Sequence, residues 1–213
     1  MIYRRFIKRL LDLILSLIAI LILTPIWIIL SLAIVIDDPG PVLFCQKRIA
    51  KDKNGHKRFF QIYKFRTMKR STPHDTPTHL LENPEQYITR LGRFLRKTSL
   101  DELPQIFNIL FGTMSIIGPR PALWNQDDLY AERAKYGANA LTPGLTGWAQ
   151  INGRDELPIE VKAALDGEYV QKQGFLFDCK CLFGTVTSVL KSDGVVEGGT
   201  GAMETEKEEE SVK

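Results

Sequence analysis

The chain has 213 residues, of which 44% are hydrophobic and 25% charged, a composition that suits one modest globular core. Its three cysteines, Cys45, Cys179 and Cys181, form no disulfide framework and no metal-ligand spacing, which excludes a disulfide-stapled scaffold and favours a reduced, cytoplasmic setting with cysteines that pack. The formal net charge of +3 hides an uneven layout, because apolar residues dominate the N-terminus, bases the middle and acids the C-terminus.

The first predicted element is an apolar helix near the N-terminus. Between residues 13 and 36 the only polar side chains are Ser16, Thr24 and Ser31. A helix of that length reaches about 36 Å, which is enough to cross a bilayer. Membrane contact is therefore expected, and a cleaved signal peptide fits poorly because the run is too long.

The charges and one proline predict how this segment lies in the membrane. Basic residues flank both ends, which is typical of the cytoplasmic side. Pro25 cannot donate to the carbonyl of Leu21, and each half of a broken helix would reach only about 17 to 20 Å. The sequence therefore predicts a re-entrant helix-break-helix over residues 1–38, broken at Thr24-Pro25. A kinked helix that spans the bilayer is the alternative.

A mixed α/β (α+β) domain is predicted over residues 39–191. Residues 42–48 and 58–67 have strand patterns, and Asn54-Gly55 between them is a hairpin-turn signal. Apolar spacing predicts helices at residues 85–97, 103–111, 124–139, 157–171 and 175–190, the last of them a core or interfacial helix. Residues 192–213 are Gly-rich and then acidic, which predicts a disordered tail.

Two adjacent carboxylates, Asp101 and Glu102, lie among basic residues at the predicted start of an apolar-faced helix. One interpretation is structural, because Ser99 and Glu102 match a capping box. The other is chemical, since a carboxylate kept ionised by Arg96 and its neighbours can bind a divalent ion or attack an electrophilic phosphorus. Arg120, between two prolines, adds a guanidinium suited to phosphate oxygens.

Several linked motifs carry a resemblance to a known family. They are Lys64-Phe65-Arg66-Thr67-Met68, Ser99-Leu100-Asp101-Glu102-Leu103-Pro104-Gln105, Gly118-Pro119-Arg120-Pro121, and Pro143-Gly144 through Thr146-Gly147-Trp148-Ala149-Gln150 to Asn152-Gly153-Arg154. In this order, behind an N-terminal membrane segment, they resemble the bacterial sugar transferase family, the monotopic phosphoglycosyl transferases. The resemblance covers about residues 3–191 and places the chain among the small members.

The resemblance implies a reaction at the cytoplasmic face of the bacterial inner membrane. Asp101 is expected to attack the β-phosphate of a UDP-sugar, release UMP and form a phosphosugar ester, which polyprenol phosphate then accepts. Glu102 matches the partner in the catalytic dyad, and Mg²⁺ is the expected cofactor with Asp101 as its protein ligand. The residues expected to bind substrate are Lys64, Arg66, Arg96, Arg120, Trp148, Asn152, Arg154 and Asp166.

Two other functions remain open from the residues alone. A membrane-anchored basic scaffold would use the same arginines without needing Asp101. A metal-dependent phosphohydrolase would use the acidic pair to activate water. The resemblance implies no nucleic-acid partner and is compatible with a homo-oligomer. The sequence gives only a weak preference for the donor sugar, towards an N-acetylated amino sugar such as N,N'-diacetylbacillosamine.

Overall fold

The structure of the chain, a computed structural model, describes residues 2–53, 55–72, 83–153 and 157–191. Arg154 and the predicted tail at 192–213 lie outside the described residues. Among those residues the elements are, in chain order, α1 (Lys8–Asp37), β1 (Leu43–Lys53), β2 (His56–Phe65), α2 (Arg90–Thr98), α3 (Gln105–Phe111), β3 (Ser115–Ile117), α4 (Asp127–Ala134), β4 (Gly144–Thr146), α5 (Trp148–Ile151), α6 (Ile159–Lys172) and α7 (Phe175–Lys191).

The apolar N-terminal segment forms one helix, α1, which follows a short π-helical turn at Tyr3–Ile7. The predicted division into two helices is wrong, because α1 continues through Pro25. A proline removes a single hydrogen bond and bends a helix without having to end it. The Thr24 hydroxyl donates to the Ile20 carbonyl at 2.7 Å just before it. Within the described residues this is the one helix long and apolar enough to cross a membrane.

Both ends of α1 are attached to the rest of the fold. At its start Lys8 Nζ lies 2.8 Å from Asp178 Oδ2, and the Arg9 guanidinium donates to the carbonyls of Ile109 and Leu110 at the end of α3. At its end the Arg66 guanidinium binds Asp38. The middle is exposed instead, with apolar side chains such as Leu17, Ile18, Leu21, Ile22, Ile28 and Ile29 facing outward.

The predicted hairpin is confirmed. Strands β1 and β2 are antiparallel, and the pairing of Lys53 with His56 leaves a two-residue turn in which Gly55 has a φ of +76°. Asn54, the other predicted turn residue, lies outside the described residues. Strand β1 is longer than predicted, and β2 has the predicted length but begins and ends two residues earlier. Cys45 on β1 is exposed, so the expectation that all three cysteines pack is wrong for this one, whereas Cys181 is buried.

A second, parallel pair of short strands joins two of the sequence motifs. Ser115 in β3 pairs with Gly144 in β4, and Ile117 pairs with Thr146. The backbones approach so closely that a Cβ at Gly144 would lie 2.1 Å from the Gly118 nitrogen. Glycine is therefore required at this crossing.

The helix predictions hold for α3, α6 and α7 and are too long for two others. Residues 84–87 form a 3₁₀ turn, and α2 begins only at Arg90 because the Thr89 side chain caps it by accepting from the Gly92 nitrogen. In the 124–139 region α4 covers Asp127–Ala134. Helix α7 buries Cys181 but exposes Leu176 and Phe183 at 82% and 71%, which agrees with an interfacial helix.

The hydrophobic core is divided into small clusters, and one of them includes α1. Leu30 and Ile34 of α1 pack with Phe65 of β2 and Leu95 of α2. The membrane helix is therefore part of the core of the domain and not a separate anchor.

Candidate active site

The two adjacent carboxylates lie on a 3₁₀ turn, Leu100–Glu102, between α2 and α3. Ser99 has a φ of +56° and ends α2 in the left-handed conformation, and its side chain makes no capping hydrogen bond. The predicted capping box is therefore absent, and the Glu102 side chain contacts Lys64 and Arg120 instead. Leu100 and Leu103, on either side of the pair, pack against the cluster that contains Leu30 and Ile34 of α1. The acidic turn thus packs against the same apolar cluster as the membrane helix.

Glu102 is held by two cations on the same oxygen. Lys64 Nζ lies 3.1 Å from Glu102 Oε1, and Arg120 Nη2 lies 3.2 Å from it. Burial by itself would raise the pKa of Glu102, but the charges and hydrogen bonds of Lys64 and Arg120 outweigh burial and hold the pKa well below its usual range. Glu102 therefore stays ionised at neutral pH.

Asp101 is the more deeply buried of the pair. Its side chain is 5% exposed, and its Oδ2 lies 3.6 Å from Lys64 Nζ, which is within ion-pair range but longer than a hydrogen bond. Side-chain exposure increases outward across the site, from Asp101 through Lys64 at 10% and Glu102 at 17% to Arg120 at 30%. The site therefore opens at Arg120.

The relative placement of these groups is fixed by backbone contacts. Asn108 on α3 accepts from the Tyr63 nitrogen at 3.0 Å and donates to the Gln61 carbonyl at 2.7 Å. Because Asn108 is buried and makes both bonds, it locks the helix that follows the carboxylates onto β2, which carries Lys64.

Asp166, expected to bind substrate, lies in a buried ion pair. Arg133 Nε and Nη2 both lie 2.7 Å from Asp166 Oδ2, and the Asp166 side chain is 1% exposed. Burial raises the pKa of Asp166, although the charges of Arg133 and Lys162 act in the opposite direction. Arg133 also donates to the Arg120 carbonyl at 3.0 Å, so the pair touches the acidic site through the backbone of Arg120.

Arg66 and Arg96 are near the end of β2, where they contact the fold. Arg66 binds both the side chain and the carbonyl of Asp38 at the end of α1. Arg96 Nε donates to Thr67 Oγ1 at 2.9 Å. These contacts link α2, β2 and α1, and the role of both arginines towards a substrate stays a prediction.

Trp148 and Asn152 form a separate group beside α6 and α7. Trp148 Nε1 donates to Glu168 at 2.7 Å, and its ring packs 4.9 Å from that of Phe177 with Lys180 Nζ 4.7 Å away. Asn152 donates to the Trp148 carbonyl. Arg154, the next predicted residue, lies outside the described part of the chain.

Two important residues were missed by sequence reasoning. Arg133 lies in a polar helix with no local signal, and its partner Asp166 is 33 residues away. Asp178 lies within the apolar run of α7, where it accepts hydrogen bonds from Lys8, Tyr3 and Tyr169. Helical periodicity does not reveal pairs of this kind.

The carboxylates alone do not form a complete metal site. Among the described residues, no group of three or more histidine, cysteine, aspartate or glutamate side chains is arranged to hold a metal ion. Mg²⁺ commonly binds one or two carboxylates and completes its shell with substrate phosphates and water. Asp101 fits that mode, because it is a carboxylate at the base of a site that opens towards Arg120.

Comparison with known proteins gives the site its context. The family model for bacterial sugar transferases matches residues 3–192. The chain belongs to the bacterial sugar transferase family. It is 41% identical over 189 residues to the uncharacterized sugar transferase EpsL of Bacillus subtilis (strain 168), covering 88% of this chain and 89% of that protein.

Longer relatives of this bacterial sugar transferase have named activities. The chain is 38% identical to the UDP-glucose:undecaprenyl-phosphate glucose-1-phosphate transferase of Escherichia coli (strain K12), over 85% of this chain and 40% of that protein. It is 34% identical to the undecaprenyl-phosphate galactose phosphotransferase of Salmonella typhimurium (strain LT2), over 89% of this chain and 42% of that protein. The chain thus spans under half the length of these two enzymes. The family membership expected from the motifs is confirmed, and the chain is an enzyme of the sugar transferase class.

Proposed function

We propose that the chain transfers a sugar 1-phosphate from a UDP-sugar to polyprenol phosphate and releases UMP. The observation that carries this proposal is the position of Asp101, a buried carboxylate 3.6 Å from Lys64, on a turn whose flanking leucines pack against the cluster that contains Leu30 and Ile34 of the membrane helix. A water-soluble diphosphate and a lipid phosphate must meet at one site, and such a turn lies where both can reach it. The names of the two longer relatives support the same reaction.

The first step is proposed as nucleophilic attack by Asp101. A carboxylate oxygen of Asp101 forms a bond to the β-phosphorus of the UDP-sugar, and the bond from that phosphorus to the bridging oxygen breaks. UMP leaves with the electron pair. In the second step an oxygen of polyprenol phosphate attacks the same phosphorus, and the bond to Asp101 breaks. The product is a polyprenyl diphosphate sugar.

The cations suit the charge that builds up in this reaction. Arg120 is partly exposed at the opening and can bind phosphate oxygens with two parallel donors. Lys64 lies within 3.6 Å of both carboxylates and balances part of their charge before the substrate enters. Glu102 is clamped by both cations, so it keeps their side chains directed at the site while Asp101 reacts.

Mg²⁺ is proposed as the cofactor. Asp101 would hold it together with oxygens of the diphosphate, and the ion would supply additional positive charge to the phosphates. Glu102 is less suited as a ligand, because Lys64 and Arg120 already occupy one of its oxygens.

The attachment of both ends of α1 supports a re-entrant path at the cytoplasmic face. Arg4 donates to the carbonyls of Gln171 and Gln173, while Asp37 accepts from the Leu91 nitrogen at the other end. A helix whose two ends bind one domain cannot leave one end on the far side of the bilayer. The exposed apolar middle of α1 would then enter the membrane from the side on which the domain lies.

This topology can be tested with thiol labelling. Cys45 is exposed just after α1, and Arg5→Cys in a Cys45→Ser background places a thiol before it. In intact cells an impermeant maleimide should label neither position, and in inverted membrane vesicles it should label both. Labelling of position 5 in intact cells would show that α1 spans the bilayer.

The reaction is tested by UMP release from a panel of UDP-sugars, with and without polyprenol phosphate. The panel includes UDP-glucose and UDP-galactose, after the relatives, and N-acetylated donors, which the sequence favours. Sustained UMP release should require the lipid acceptor. Hydrolysis of the donor without acceptor would instead support a phosphohydrolase, and no release from any donor would support a scaffold.

A further inference from the structure

We infer that Asp166 is a positioning residue, which acts through Arg133 to hold the backbone of Arg120 and does not contact the substrates. The inference rests on the proposed function, because it concerns how the phosphate-binding side chain of that site is oriented. It replaces the substrate-binding role expected for Asp166 from the sequence.

The first link is the ion pair between α6 and α4. Two nitrogens of Arg133 lie 2.7 Å from one Asp166 oxygen, and the two side chains are 6% and 1% exposed. A substrate cannot reach a carboxylate that is this deeply buried and already faces a guanidinium. The orientation of the guanidinium is fixed by two hydrogen bonds, because Nε donates to Asp166 and Nη1 donates to the Arg120 carbonyl.

The second link is the hydrogen bond from Arg133 Nη1 to the Arg120 carbonyl, at 3.0 Å. Pro119 and Pro121 have no N–H groups, so this loop depends on its carbonyls for attachment. Each of the three consecutive carbonyls has a partner. The Gly144 nitrogen donates to Pro119 at 2.8 Å, Arg133 donates to Arg120, and Arg48 donates to Pro121 at 3.1 Å.

Packing alone does not hold the loop at this point. A small pocket adjoins it, lined in part by Pro119, Ala122, Tyr130 and Asn139. If Arg133 were released, the Arg120 carbonyl would have space to move, and the side chain that reaches Glu102 at 3.2 Å would move with it. Misplacement of a substrate-orienting group by about 1 Å can cost about 100-fold in rate.

The first test is Arg133→Lys, which keeps a charge against Asp166 but replaces the fork with a single ammonium. One ammonium cannot reproduce both the ion pair with Asp166 and the bond to the Arg120 carbonyl. We expect kcat/KM to fall about tenfold in protein that is still folded at the assay temperature, because Asp166 keeps a counter-charge. Lys135→Gln is the matched control, because Lys135 is an exposed residue just beyond α4 that pairs with Glu132 at 2.5 Å. Full activity of Arg133→Lys would overturn the inference.

The second test is a double-mutant cycle between Asp166→Asn and Arg120→Gln. Each variant of the cycle is measured for kcat/KM with the best donor of the panel and for its affinity for UDP. We expect Asp166→Asn to cost about tenfold in the wild-type background and less than about twofold in the Arg120→Gln background. Both single variants should divide their losses between kcat and KM in the same way. Equal losses in both backgrounds would show that Asp166 acts independently of Arg120.

A third variant separates positioning from folding. Arg133→Met with Asp166→Leu removes both charges, and such replacements of buried pairs are often neutral for stability. We expect a near-normal unfolding temperature and a loss of kcat/KM of about tenfold, because the Arg120 carbonyl still lacks its donor. Recovered activity in this variant would mean that the pair only supports the fold. If the wild type binds UDP but turns over no donor, the proposed reaction fails, and the cycle in UDP affinity still decides the inference.

Discussion

Two carboxylates in this enzyme, the buried Asp178 and the half-buried Glu102, each pair with a lysine but have different surroundings. Lys8 lies 2.8 Å from Asp178, and Lys64 lies 3.1 Å from Glu102. Both pairs join segments that are distant in sequence. By residue type and distance alone, the two sites are nearly equivalent.

The remaining partners distinguish the two sites. Asp178 also accepts from the hydroxyls of Tyr3 and Tyr169, and burial together with Asp178 raises the pKa of Tyr169, so that hydroxyl remains a donor. Arg120, the second cation that contacts Glu102, has a side chain that is 30% exposed to solvent. A carboxylate whose partners all lie inside the fold fastens the membrane helix, whereas cations that still face solvent can receive a substrate anion.

The largest expected effect is the loss of activity in Asp101→Asn. An amide cannot act as the nucleophile, so UMP release should fall by about 10³-fold or more, the scale seen when a catalytic nucleophile is removed. The unfolding temperature in detergent should change little, because Asn has nearly the same shape. Substantial turnover by this variant would remove Asp101 from the reaction.

Asp178→Asn should produce the opposite result, a loss of stability with normal activity in the molecules that fold. The change leaves Lys8 buried without its counter-charge, which costs about 3–5 kcal/mol in free energy of unfolding. Asp127→Asn is the matched control, because Asp127 is 82% exposed in its pair with Lys57 and an exposed pair is worth at most about 1 kcal/mol. Equal unfolding curves for the two variants would contradict the comparison.

The smallest effect is a shift of the pH profile in Lys64→Gln. Without Lys64, burial is opposed mainly by Arg120, so the pKa of Glu102 should rise. Because the folded pKa is below the unfolded one, ionised Glu102 stabilises the fold above the unfolded pKa, and this contribution is lost as the pH falls through the folded pKa. The acid limb of the residual kcat/KM should therefore move to higher pH. It is measured from about pH 4 to about pH 8, a range that includes ordinary carboxyl and histidine pKa values. An unmoved limb would mean that Lys64 does not control Glu102.

Local patterns predicted the elements that depend on local chemistry. The apolar run predicts α1, the turn signal predicts the hairpin, and the helix predicted to end at residue 111 does end there, followed by Gly112 with a φ of +82°. The resemblance implies that Lys64 and Arg120 bind substrate, and the structure places both beside Glu102; their contact with a substrate stays a prediction.

The contacts between distant segments could not be predicted in this way. The Ser99 pattern fitted a capping box, but tertiary contacts with Lys64 and Arg120 draw Glu102 away from the helix start. The resemblance implies substrate binding for Asp166, whereas its pairing with Arg133 depends on how α4 packs against α6. The hydrogen bond that Pro25 lacks is a local feature and predicts a break, whereas the helix around Pro25 is continuous.

The central claim is that Asp101 carries the sugar phosphate between its two substrates. Intact-mass spectrometry of the enzyme mixed with its donor and Mg²⁺, without lipid acceptor, tests this directly. The account predicts an added mass equal to one sugar phosphate, which is absent in Asp101→Asn and disappears when polyprenol phosphate is added. Steady product formation by an enzyme that never shows the adduct, even when reactions are quenched within the first turnover, would contradict it.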